Sequence, residues 1–508
     1  MTDQQKLIRK IAIAAAVAVV GIPILLLIIH NGLMNTIAFL LFFVGVPALM
    51  VGGFMLMKRV VPPDPLPSDH NVRRGARVIS AQVMQEYLTT KQQQWLKETS
   101  KPEPRPRLSI AGVQLPTDLE NLGIFTMGSP GSGKTQAIAQ LLFEMRQRRD
   151  FRVVVFDRNA EFLEKFYQPN DLIFNPADAR SVAWSHSGED ARPETIAAAL
   201  VPEGTGDNAF FNDAARSLLA DLYERCDSNA EIWEVLANLS LEDLTDFVKG
   251  GLSHRYFVSE KTGGSVLSTL INYARFYREL PDSGEPFSFV EWAQSGDPRS
   301  LWLPLFEEDS ELFKPLYSAA FELILKGLLT NESRQIKTAI IIDELGALNR
   351  LRSLSRLLSE SRKFKGLPVL GTQTEAQIRR TYGDEDARII LQGTRTKLIL
   401  NCGDPESAEL GANLIGRQER IERLKSAHTP SSNVLAALLS DPRSESLRET
   451  YAVMPSELQS LPKLEGYLAI SDGTPAAKVK ITPRSYDAIA PRLERKKGSK
   501  ITRIRRSA

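Results

Sequence analysis

Residues 128 to 135 read Gly128-Ser129-Pro130-Gly131-Ser132-Gly133-Lys134-Thr135, a complete phosphate-binding loop of the form G-x-x-x-x-G-K-[ST]. The apolar run Gly123-Ile124-Phe125-Thr126-Met127 precedes it and suits a buried strand, and Ala137 to Met145 follows with helical spacing. Strand, glycine loop and helix form the context in which this motif binds a nucleoside triphosphate rather than marking a chance Gly/Ser turn. The glycines let backbone N–H groups wrap a phosphate, and the helix N-terminus adds partial positive charge. Lys134 then reaches the β- and γ-phosphates of ATP, and the hydroxyl of Thr135 faces Mg²⁺.

A second strand pattern, Lys337-Thr338-Ala339-Ile340-Ile341-Ile342, ends in Asp343-Glu344. This puts two carboxylates at the edge of the sheet where α/β folds bind ligands. Asp343 is expected to hold Mg²⁺ through water, and Glu344 to orient the water that attacks the γ-phosphate. Alone this is a weak signal, often just a strand end with a helix cap; paired with a full phosphate loop it reads as catalytic. Gln373 closes the run Leu367 to Thr372 and can report the γ-phosphate, although an exposed strand-end amide has the same appearance. Arg362, in Glu360-Ser361-Arg362-Lys363-Phe364-Lys365-Gly366, is a candidate for a charge-stabilising arginine supplied to a neighbouring subunit. Arg352 and Arg356 stay open as alternatives, and a basic run in a helix is by default a solvated face.

The N-terminus carries a different message. Ile11 to Ile29 and Leu33 to Met57 are apolar and uncharged, separated by His30-Asn31-Gly32. As helices they reach about 28 and 37 Å, enough for a hydrocarbon core of roughly 30 Å. Lys6, Arg9 and Lys10 precede the pair and Lys58 and Arg59 follow it, so the positive-inside rule predicts two spans with both termini cytoplasmic. A cleaved signal peptide is disfavoured by the span length and by the second span.

The remaining length exceeds one core, so several domains are expected. With a net charge of +2, a uniformly basic nucleic-acid binder is excluded and any electrostatic footprint is local. Two cysteines, Cys226 and Cys402, give neither a disulfide framework nor a zinc spacing. Val61 to Pro67 reads as a stiff linker. Short β-branched runs alternate with helical stretches and predict a mainly parallel sheet. From Trp184 to Pro298 only helical patterns follow one another. The expected domains are an anchor over 1–60, a nucleotide-binding domain over 61–182 and 299–508, and an all-helical insertion over 183–298. From Pro491 onward eight Lys/Arg stand against Glu494, predicting a disordered basic tail that is solvated or touches phosphate or anionic lipid.

The two-span hairpin, Gly-Ser-Pro-Gly-Ser-Gly-Lys-Thr, Ile-Ile-Asp-Glu-Leu, Ser-Arg-Lys-Phe-Lys-Gly, Gly-Thr-Gln-Thr and Phe174-Asn175-Pro176-Ala177-Asp178-Ala179-Arg180-Ser181 occur here in one order. Together they resemble the type IV secretion coupling proteins of the TrwB/TraD/TraG group, nearest in length and layout to TrwB, across essentially the whole chain. The resemblance implies a RecA-like P-loop domain with an inserted helical domain and an inner-membrane hairpin in a bacterium. It implies a DNA-dependent ATPase, assembled as a hexameric ring, that passes relaxase-linked single-stranded DNA from the relaxosome to the secretion channel during conjugation. It also implies the hydrolytic roles for Lys134, Thr135, Asp343 and Glu344, a trans-acting Arg362 and a γ-phosphate sensor at Gln373. Asp157 and Glu161 fall where relatives carry an acidic motif and receive no firm role. The competing readings are a membrane-tethered double-stranded DNA translocase and a non-motor substrate receptor of a secretion system.

Overall fold

The computed structural model describes residues 72–204, 206, 208–281, 284–425 and 443–496. The expected hairpin (1–60), the linker and the end of the basic tail lie outside them. Among the described residues no helix is long and apolar enough to cross a membrane.

The larger of two compact units spans Ala76–Gln418 and Thr450 onward. Its frame is a ten-stranded sheet. In chain order the strands are β1 (Val78–Ser80), β2 (Gly123–Met127), β3 (Phe151–Arg158), β4 (Leu172–Ile173) and β5 (Leu301–Leu305). Then come β6 (Lys337–Ile342), β7 (Gly366–Thr372), β8 (Thr394–Leu400), β9 (Glu465–Ile470) and β10 (Ala476–Lys480). Across the sheet they run β1-β10-β9-β8-β2-β7-β6-β3-β5-β4. From β8 to β4 every pairing is parallel, and β9 runs antiparallel to both its neighbours.

The central strands are buried along their whole length, as parallel strands covered on both faces must be. Phe125, Met127, Val154, Phe156, Ile340, Ile342 and Leu370 join one apolar cluster with Phe321 and Leu325 of the helix Ser310–Leu328. The alternate residues Ile124, Val153, Val155 and Ile341 are equally buried. Fully burying each such side chain contributes roughly 1.5–3 kcal/mol.

Between β4 and β5 the described chain is helical, with Pro193–Leu200, Asn208–Arg225, Asn229–Asn238, Leu241–Phe247, Glu260–Ala274 and Phe289–Gln294 as its α-helices. Ser228, Ser240, Ser259 and Ser288 cap four of them by accepting a backbone N–H three residues on. Leu218, Leu270 and Trp292 belong to the same apolar cluster as the sheet, so this segment shares its core.

The described residues of the smaller unit are Val72–Gly75 and parts of Glu419–Glu449. They belong to a separate three-stranded sheet in which the strand Arg417–Lys425 lies between Val72–Gly75 and Arg443–Tyr451.

The C-terminal segment departs from expectation. Its described part is not a free tail but is fastened to the helix Glu161–Phe166 and to the turn that follows β4. Arg492 donates to Glu164 (2.8 Å), Ala179 N–H to Glu494 O (2.6 Å), and Arg180 to Pro491 O (2.9 Å). Glu164 pairs with Arg492 and Glu308 with Arg495 (3.7 Å), acidic partners that the run of basic residues does not itself reveal.

Candidate nucleotide site

The loop Gly128–Gly133 leaves the end of β2 and enters the helix Lys134–Arg146. Gly133, at φ +120°, makes a turn that L side chains avoid, and no side chain caps the helix behind it. The first-turn N–H groups are therefore left to point at an anion. Register brings the rest of the site to the same edge, because Thr372 of β7 lies beside Met127 and Ile342 of β6 beside Leu370. Gln373 thus follows the strand between the loop and the Asp343-Glu344 pair. At Gly371 the approach of backbones is so close that a Cβ would sit 2.1 Å from Asp343 O.

Lys134 is buried and its Nζ donates to Gly128 O (2.5 Å) and Ser129 O (3.3 Å). Burial lowers its pKa, partly offset by the charges of Asp343 and Glu344. Thr135 Oγ1 donates to Asp343 Oδ2 at 3.0 Å, joining the two residues expected at the metal. Burial raises the pKa of Asp343, against the Thr135 hydrogen bond and the Lys134 charge. Burial also raises that of Glu344, against its hydrogen bond with the Gln373 side chain and the Lys134 charge. Lys134, Thr135, Asp343, Glu344 and Gln373 therefore form one cluster.

Ser132 Oγ, Asp343 Oδ1 and Glu344 Oε1 are buried without a hydrogen-bond partner among the described residues. Unsatisfied buried oxygens are costly and call for a partner. Mg²⁺ takes hard oxygen ligands, commonly one or two carboxylates beside phosphates and water. The pair of Thr135 Oγ1 and Asp343 fits that donor set. Among the described residues no group of three or more His, Cys, Asp or Glu could hold a metal by itself.

Arg362 is not brought to this cluster. It precedes β7 whereas Gln373 follows it, and that strand alone is about 23 Å long at roughly 3.3 Å per residue. It is exposed and makes no ion pair or hydrogen bond among the described residues. Arg352 and Arg356, the alternatives, carry carboxylate partners in Glu203 (3.4 Å) and Glu360 (2.9 Å). Asp157 is fully buried at the end of β3, where it accepts the N–H groups of Phe162 (3.2 Å) and Leu163 (2.7 Å). It caps the helix Glu161–Phe166, and burial pushes its pKa up to about 7.

Residues 107–482 match the family described as type IV secretion-system coupling protein DNA-binding domain. The chain belongs to the type IV secretion-system coupling proteins. Among curated relatives, coupling protein TraD of Escherichia coli (strain K12) is 28% identical over 403 residues, covering 76% of this chain. This chain spans 56% of the length of that relative. Among solved structures, the bacterial conjugative coupling protein TrwBdeltaN70 in its unbound monoclinic form is 24% identical with a TM-score of 0.72, covering 83% of this chain and 96% of that one. Plasmid coupling protein TrwB in complex with ADP and Mg²⁺ gives 24% and 0.71, with coverages of 85% and 99%. The coupling-protein fold thus extends over the sheet and the helical segment together.

Proposed function

We propose that this coupling protein is a Mg²⁺-dependent ATPase that drives single-stranded DNA toward a type IV secretion channel. The observation that carries this is the meeting of Lys134, Thr135, Asp343, Glu344 and Gln373 at one edge of the sheet. The loop N–H groups and Lys134 hold the phosphates, and Thr135 with Asp343 holds Mg²⁺, which supplies charge neutralisation there. Glu344, which lines a cleft of about 300 Å³, orients the attacking water, and Gln373 registers the γ-phosphate through its contact with Glu344. The ADP and Mg²⁺ complex of TrwB supports the same ligands for this fold.

Arg362 acts in trans. Its place before β7, away from its own phosphate loop, supports a ring, a hexamer by resemblance, in which each site is completed by the next copy. Residues 61–182 and 299–508 then form the motor and 183–298 an insertion facing relaxase-linked DNA and the relaxosome. Ile11 to Met57 anchors each copy in the bacterial inner membrane, both termini cytoplasmic. Net charge near zero agrees with a pump, since a pore needs only a few basic or stacking side chains.

Steady-state ATP hydrolysis by the detergent-solubilised full-length protein, with and without single-stranded DNA, is the test. Mg²⁺-dependent turnover stimulated by single-stranded DNA supports the motor. Stimulation by duplex DNA alone points to a duplex translocase, and a negligible rate in every condition leaves an anchored receptor.

A further inference from the structure

The phosphate loop is held from outside by residues that no motif marks. Asn401, the first residue after β8, engages Ser129 twice. Ser129 N–H donates to Asn401 O (2.7 Å), and Ser129 Oγ donates to Asn401 Oδ1 (2.9 Å). The two N–H bonds of the Asn401 amide go to Gln459 O (2.8 Å) and Leu461 O (2.9 Å). Because both of those partners are carbonyls, the nitrogen must face them and the amide oxygen must face the hydroxyl, so the side chain has one orientation.

The same segment grips the loop a second time. Leu464 N–H donates to Ser132 O (2.9 Å), and Leu464 Cδ2 lies 2.8 Å from where a Cβ on Gly133 would be. Leu464 itself adopts φ +66°, a conformation that a leucine holds only when its surroundings fix it. The loop is therefore clasped at Ser129 and Ser132, on either side of Gly131, which has nothing within 4 Å of its open face.

We infer that Asn401 is a positioning residue of the nucleotide site, tying the phosphate loop to the Gln459–Leu464 segment so that the loop stays in its phosphate-accepting shape. This rests on the reading of the loop as an ATP site. Without the clasp the loop samples other shapes, and the apparent affinity falls by the fraction of time it is competent. Asn401 touches no reacting atom, so turnover once ATP is bound is unaffected.

Titration of Mg²⁺-ATP binding and steady-state kinetics on the full chain test this with Asn401→Leu, Asn401→Asp and Ser129→Ala. Asn401→Leu, close in size but without hydrogen bonds, is expected to raise both Kd and KM for ATP about ten-fold while kcat changes less than two-fold. Asn401→Asp keeps the acceptor but turns a charge onto two carbonyls, and is expected to be no better. Ser129→Ala, which leaves the backbone contact in place, is expected to raise Kd about three-fold, and to add little on top of Asn401→Leu. A variant with a lowered Tm but unchanged Kd and KM overturns the proposal, as does an equal loss in kcat. Failure of the wild type to bind Mg²⁺-ATP overturns the ATP reading and this inference with it.

Discussion

Gly371→Ala converts one close approach into a kinetic prediction. The new Cβ would lie 2.1 Å from Asp343 O, 2.8 Å from its carbonyl carbon and 3.2 Å from its Cα, all backbone atoms that cannot rotate away. Comfortable contact is about 3.5 Å, so β7 and the end of β6 must part by more than 1 Å. The overpacking itself costs about 1–3 kcal/mol. The larger consequence is that Asp343 and Glu344 move relative to Lys134 and Thr135, and a displacement of about 1 Å in a catalytic constellation is worth on the order of 100-fold in rate. The loop is built from β2, so nucleotide binding is expected to weaken far less than kcat. ATP hydrolysis and equilibrium binding of a non-hydrolysable analogue, measured on the same folded preparation, separate the two. A kcat within about three-fold of wild type would refute the claim that this backbone contact sets the carboxylates. Gly264→Ala is the control, since a Cβ added there in the helix Glu260–Ala274 would meet no neighbouring element within 4 Å, and it is expected to gain about 1 kcal/mol in stability, read as a raised Tm.

Lys134→Ala is expected to abolish ATP binding and turnover, whereas Glu344→Gln is expected to bind ATP with near wild-type affinity and not hydrolyse it; near-normal hydrolysis by Glu344→Gln would remove the water-positioning role. The Asp157 carboxyl, raised from 3.8 to about 7, gives a stability prediction. A carboxyl raised on folding lends stability below the unfolded pKa and loses it as pH climbs to the folded value. Wild type is therefore expected to lose Tm relative to Asp157→Asn between pH 4 and 7, with the gap level above that; a gap independent of pH counts against it.

What the sequence disclosed depended on how local each signal was. The phosphate loop is contiguous, and its strand and helix were visible from the apolar run at Ile124 and the helical spacing after Ala137. Asp343 and Glu344 were legible because a run of β-branched residues stops at two carboxylates. Asn401 and Leu464 were not, since their relation to Ser129 and Ser132 exists only once β8 lies beside β2 and β9 beside β8. A polar residue directly after a strand, like Gln373, was the one signal that could have raised Asn401. The strand Arg417–Lys425 went unread because most of its residues are charged and its two apolar ones, Ile421 and Leu424, are three apart rather than alternating. The few tail residues described, up to Lys496, were hard to place for the reverse reason: their charges were plain, but Glu164, which holds Arg492, is hundreds of residues away.

The claim on which most depends is that each site is finished by a neighbouring copy. Lys134→Ala and Arg362→Ala proteins, purified separately and then mixed, test it directly by ATP hydrolysis in the presence of single-stranded DNA. Each alone is expected to be inactive, and the mixture to regain activity where an intact loop meets an intact arginine. A mixture as inactive as its parts, from variants that exchange subunits, would contradict the shared site.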